Sequence, residues 1–293
     1  MGVRTASHSE VPAPAAGGTA SATLLKRPAT HYDLGIDRDV RRAVNTSGQE
    51  IIAFECTTMM EADLAVRSAV ATALPEDHEG MHGALIQLRS TLDGKTSTVA
   101  ILGASGAGKS HIIARFLADP DYHVRVVAED WFVACCETRR AHAFREHRIL
   151  LKRETAALYA GDGRPQEPSH TLASDETRGL YDAGRLFGDG GGRWDEEVVI
   201  DHLVVLRSED TAGPHVRKLV AGDTDWIRAG EYSAYYQANE RLLDGSTEVF
   251  TAEQIDRRVE NLRRLARRSS AFVFSGSRAL DGHAALRSIV ASS

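Results

Sequence analysis

The stretch Gly103-Ala104-Ser105-Gly106-Ala107-Gly108-Lys109-Ser110 fills every fixed position of the pattern G-x-x-x-x-G-K-[ST]. The pattern has a mechanism only when it sits between a strand and a helix. Its flanks meet that condition. Thr98-Val99-Ala100-Ile101-Leu102 is a short apolar run with β-branched residues and predicts a buried strand. His111-Ile112-Ile113-Ala114-Arg115-Phe116-Leu117 places apolar residues at helical spacing and predicts the following helix. The glycines let backbone N–H groups turn inward around an anion with no Cβ in the way. The helix N-terminus adds partial positive charge. Residues Gly103 to Ser110, with His111 next at the helix start, are the expected nucleotide cradle. Lys109 is expected to reach the β- and γ-phosphates of ATP or GTP, and the Ser110 hydroxyl to sit on Mg²⁺.

The rest of the chain bounds the setting. Its 293 residues are enough for one large α/β domain or two small ones, with a sizeable core. A formal net charge of −6 lends no support to general nucleic-acid binding. Cys56, Cys135 and Cys136 form no disulfide framework, since two are adjacent and no Cys-x-x-Cys occurs. Together with the lack of a membrane-length apolar run or a signal-peptide segment, this leads us to expect a cytoplasmic protein without membrane partners. Self-association is left open.

Residues 1–30 are rich in Ala, Ser, Thr, Pro and Gly without apolar period, and predict a disordered tail. Residues 31–78 read as an N-terminal elaboration, with a strand over Ile51–Cys56 and a helix over Glu61–Leu74. Residues 79–293 read as the core. There Met81–Leu88 predicts a strand, and Leu92-Asp93-Gly94-Lys95 a hairpin turn into the Val99 strand. His123–Ala128 is the next strand, ending in Glu129-Asp130-Trp131-Phe132. Acids at a strand end beside a phosphate loop can hold Mg²⁺ through water or accept a proton from an attacking hydroxyl. Arg139–Tyr159 reads as helix or strand plus helix. Gly161–Ser169 and Gly188–Gly192 read as loops. Val198–Leu206 reads as a central strand interrupted by Asp201 and His202, for which a structural hydrogen bond is favoured over an acid/base role. His215, Arg217 and Lys218 follow in a predicted loop. Thr251-Ala252-Glu253-Gln254 suggests a capping box opening a helix to about Arg268, whose arginines read as a solvated face. Ala271–Phe274 is a last strand, and Asp281-Gly282 predicts a turn into a terminal helix.

His82-Gly83-Ala84-Leu85-Ile86, the loop 103–110 and Val127-Ala128-Glu129-Asp130 together resemble, in order and spacing, the core of the HPr kinase/phosphorylase family. The likeness covers about Met81 to Phe132. It implies an α/β fold, a mixed-sheet P-loop nucleoside-triphosphate-binding fold of the HPr kinase/phosphoenolpyruvate-carboxykinase type in a single main domain over 31–293. It also implies a kinase that moves the γ-phosphate to a hydroxyl-bearing substrate, either a serine of a protein or peptide or a small alcohol. Carried onto this chain, Asp130 is the general base, Glu129 with Ser110 serves the metal, Lys109 serves the phosphates, and His82 lies near the transferred group. The family has Glu after the loop Ser, where this chain has His111. Asp130-Trp131-Phe132 also resembles the acidic-aromatic strand end of uridine-kinase-like enzymes. A nucleotide switch without a second substrate is the reading from a different class.

Overall fold

The computed structural model describes residues 2–5, 21–25, 43–45, 50–54, 74–104, 106–143, 148–159, 168, 170–172, 175–187, 197–207, 214–220, 252–276 and 279–292. The chain divides into two units: Met1–Gly80 with Tyr232–Asn261, and Met81–Glu231 with Leu262–Ser293.

In the first unit, β1 (Gly2–Thr5), β2 (Ser21–Leu25), β3 (Ala43–Asn45) and β4 (Glu50–Phe54) make a four-stranded sheet ordered β1-β2-β4-β3. β4 falls on the strand expected at Ile51. The parts of residues 1–30 that are described are therefore strands, and the rest of the expected tail lies outside the described residues. So does the expected helix from Glu61, up to residue 73.

The second unit is mixed α/β, and two of the elements named with it, the strand His78–Ser90 up to Gly80 and the helix Ala252–Arg268 up to Asn261, begin in the first. Its main elements begin with β5 (His78–Ser90), β6 (Thr96–Gly103), α1 (Lys109–Leu117), β7 (Tyr122–Ala128), β8 (Trp131–Cys135) and β9 (Arg140–Ala143). β10 (Arg148–Lys152), α2 (Arg153–Tyr159), β11 (His170–Leu172), β12 (Asp175–Asp182) and α3 (Ala183–Phe187) follow. Then come β13 (Glu197–Val199), β14 (His202–Arg207), β15 (His215–Lys218), α4 (Ala252–Arg268), β16 (Ser270–Ser275) and α5 (Ala279–Ala291). A mixed sheet of nine strands runs β13-β9-β8-β5-β6-β14-β16-β15, with β7 also on β5. β10, β12 and β11 form a separate three-stranded sheet.

The hairpin forms where its turn was expected. Asp93 Oδ1 accepts from the Lys95 N–H at 3.1 Å, and Gly94 takes φ 73°, which glycine adopts without a Cβ clash. β5 and β6 are therefore antiparallel, whereas β6, β14 and β16 are mutually parallel. Alternate residues of the central strands enter two cores. Ala84, Ile86, Leu88, Val99 and Ile101 pack with Ile112, Ile113 and Phe116 of α1 and with Leu286 and Ile289 of α5. Leu85, Ala100, Leu102 and Val205 pack on the other face with Leu262, Leu265 and Ala266 of α4. Burial on both faces explains why these strands read as nearly continuous apolar runs.

Four expectations need correction. The run from Val198 to Leu206 is two strands, because Asp201 turns aside to bond the β6 backbone: its Oδ2 accepts from Thr98 N–H at 2.9 Å, and its own N–H donates to Thr98 O. Asp281 and Gly282 lie inside α5 rather than in a turn. A Cβ at Gly282 would stand 2.7 Å from Ile112 Cδ1, so this glycine serves close packing against α1. The arginine-rich face of α4 is not simply solvated. In the first unit Arg258 is buried, donating to Glu79 Oε2 and to Gly80 O, while Asn261 donates to Glu79 Oε1. His215, Arg217 and Lys218 form an edge strand, not a loop. The strand-plus-helix alternative for Arg139–Tyr159 matches β10 and α2. The expected loops near 161–169 and 188–192 lie almost wholly outside the described residues, as do Thr251 of the capping box and Cys56. Among the described residues, no helix is long and apolar enough to cross a membrane.

Candidate nucleotide site

β6 ends at Gly103 and α1 starts at Lys109, so the phosphate-loop residues turn at the carboxyl end of a central strand. Gly106 and Gly108 have φ of 84° and 94°. These left-handed conformations disfavour side chains, and they turn the loop back over the helix start. α1 has Gly108 at its N-cap, no side-chain cap and no acid in its first turn. The helix's own first turn thus brings no acid to its positive end, which suits a phosphate. Lys109 is buried and donates to the loop carbonyls of Gly103 at 2.7 Å and Ala104 at 3.2 Å. Ser105 lies outside the described residues; His111 is exposed on the first turn of α1.

The two acids after β7 occupy different environments. Glu129 is buried, and its Oε1 accepts from Ser110 Oγ at 2.5 Å and from Tyr159 Oη at 3.0 Å. Burial, and then the neighbouring Asp130 carboxylate, raise its pKa; the Ser110 and Tyr159 hydrogen bonds and the Lys109 charge pull the other way without winning. Tyr159 itself is held well above the ordinary phenol value, chiefly by burial and by Glu129. Asp130 is about a third exposed and lies 3.0 Å from His82 Nε2 on β5. The next residue of β5 fixes this meeting, because Gly83 N–H donates to Asp130 O at 2.8 Å. A Cβ at Gly83 would stand 2.7 Å from Ile101 O and 2.6 Å from Leu102 Cδ2, so β5 and β6 meet too closely here for any side chain.

The fold therefore gathers Lys109, Ser110, Glu129, Asp130 and His82 around one strand end. Tyr159 is the member that sequence reading missed. It stands at the end of α2, thirty residues from the carboxylate it bonds, with no motif around it. Asp201 and His202 are not part of this site. They lie at the opposite end of the β6–β14 pair, where His202 pairs with Val99 while Leu206 pairs with Gly103.

The loop fits a magnesium-bound nucleotide on this chain's own features: two left-handed glycines, an uncapped helix start, and a buried carboxylate joined to the loop hydroxyl. Ser110 and Glu129 are the residues that would hold the metal. No protein-family model matches the chain, and no match to it was found among curated proteins.

Proposed function

We propose that the chain is a kinase of the HPr kinase/phosphoenolpyruvate-carboxykinase type, using magnesium with ATP or GTP to phosphorylate a hydroxyl. The observation that carries this reading is the division of labour between Glu129 and Asp130. Glu129 is buried and tied to the loop hydroxyl of Ser110, where a metal ligand is needed. Asp130 is partly exposed and tied to His82, where an incoming substrate can be reached. Bound Mg²⁺-nucleotide would supply the transferable phosphoryl group. The loop N–H groups and Lys109 hold the phosphates and offset their charge, which is the main requirement of phosphoryl transfer. Asp130 takes the proton that the acceptor hydroxyl loses as its new O–P bond forms and the bond to the nucleotide's leaving oxygen breaks. His82 orients the Asp130 carboxylate for that task. Tyr159 keeps Glu129 turned toward Ser110.

The test is single-turnover transfer from γ-labelled nucleotide to a size-fractionated pool of protein and small-molecule acceptors, with Asp130→Asn alongside. We expect nucleotide affinity within roughly tenfold of the original and transfer lowered by about 10²–10⁴, the range for losing a general base. Slow hydrolysis that ignores every acceptor fraction would identify a switch instead. Unchanged transfer in Asp130→Asn would defeat the base assignment.

A further inference from the structure

A cavity lies in the same unit at the other end of the central strands. It measures about 710 Å³ and is lined by the start of β6, the start of β14, the end of β15 and the junction of α4 with β16. That volume is in the range of small-molecule sites. Ser97, on its wall, is six residues along β6 from Gly103, or about 20 Å at the rise of a strand. The two sites therefore share a strand but no residue.

Its lining is cationic. Among the described residues, Lys95, Arg139, Lys218, Arg267 and Arg268 share the wall with one carboxylate, Asp201, whose Oδ2 already accepts from Thr98 N–H. Glu137 takes Arg268 and Arg264 as ion-pair partners, and Lys95, Arg139 and Lys218 alone still outnumber Asp201 on the wall. Arg139 sits at φ 62°, among the described residues the one non-glycine with positive φ, and donates to Ile200 O at 3.1 Å. A bulky residue held in the left-handed region is a conformation that packing must maintain. The carboxyl end of α4 opposes an anion here, but with about half a charge against several full ones.

Two residues of the wall carry buried polar atoms that have no partner among the described residues. His202 is 2 % exposed, and neither ring nitrogen has a hydrogen-bond partner among the described residues. Ser269 Oγ, on the same wall, is in the same condition. Burial holds the His202 imidazole below its usual pKa, so it offers one N–H donor and one acceptor.

We propose that this cavity binds a small organic anion carrying two or more negative charges, a phosphate ester or a polycarboxylate. Guanidinium and ammonium groups supply both the charge match and the directional hydrogen bonds. This site stands independently of the kinase reading.

The full chain should be titrated calorimetrically with inorganic phosphate, a hexose monophosphate and citrate. Parallel titrations use the exposed double variant Lys95→Glu/Lys218→Glu and, separately, Lys109→Ala. We expect one of the two organic anions to bind, to weaken by about tenfold or more in the double variant, and to keep its affinity in Lys109→Ala. The His202 ring resonances should shift on binding. Preference for the hexose phosphate assigns a phosphate ester, and preference for citrate assigns a polycarboxylate. The proposal is overturned if neither organic anion binds more tightly than about 10 mM, if only inorganic phosphate binds, or if affinity is lost in Lys109→Ala but not in the double variant.

Discussion

Glu129→Gln should stabilise the nucleotide-free protein while weakening its hold on magnesium-nucleotide. Glu129 is 4 % exposed, and the two hydroxyls on its Oε1 do not offset the cost of burying its charge beside Asp130, since its pKa is raised above the ordinary 4.5. A raised carboxyl pKa means that the folded state binds the proton more tightly than the unfolded state. Stability is therefore highest below the unfolded value, falls as pH rises from that value through the raised folded one, and carries the full penalty above it. Gln has the same shape, can still accept from Ser110 and Tyr159, and carries no charge. We expect a gain of about 0.5–2 kcal/mol at neutral pH, the size commonly released when a functional site is relieved of a strained group. For a unit of this size each kcal/mol corresponds to roughly 2–4 °C in Tm. The assay is thermal unfolding of both proteins from about pH 4 to 8 without nucleotide, paired with calorimetric Mg²⁺-nucleotide titration. The Tm gap should be small at the acid end and widen toward neutrality, while magnesium-dependent affinity falls. A variant less stable at neutral pH, or a gap independent of pH, would refute the claim that this carboxylate is held against its own solvation.

Gly83→Ala must push β5 away from Ile101 O, which we expect to cost about 1–3 kcal/mol in urea unfolding. Arg258→Ala strands Glu79 as a buried charge and should cost about 3–5 kcal/mol by the same measurement, with Glu79→Met/Arg258→Leu recovering most of it. Tyr159→Phe removes a donor to the charged form of Glu129, so the pH dependence of Mg²⁺-nucleotide affinity should move to higher pH, as read by calorimetry across a pH series.

The parts of the site that were legible are those that local chain geometry fixes. The loop, its strand and its helix follow from contiguous residues. The hairpin follows from Asp93-Gly94, and the placement of Glu129 and Asp130 from the short span after Ser110. The meeting of His82 with Asp130 was legible only through the family resemblance, since nothing local links residues so far apart in the chain. Tyr159 was not legible, because its role depends on where α2 docks. Arg258 was hidden among six arginines of which three are exposed, and Gly282 was misread as a turn residue because close helix contact and tight turns both select glycine. The second cavity draws its cations from the β5–β6 turn, the segment before β9, the end of β15 and the end of α4. No sequence window contains them together.

The most direct test of the central claim is calorimetric titration of Mg²⁺-ATP and Mg²⁺-GTP into the full chain and into Lys109→Ala. The account predicts one magnesium-dependent site in the original protein. It predicts a loss of affinity of at least about tenfold in the variant, with an unchanged circular dichroism spectrum. A folded original protein that takes up neither nucleotide, or equal affinity in Lys109→Ala, would contradict it.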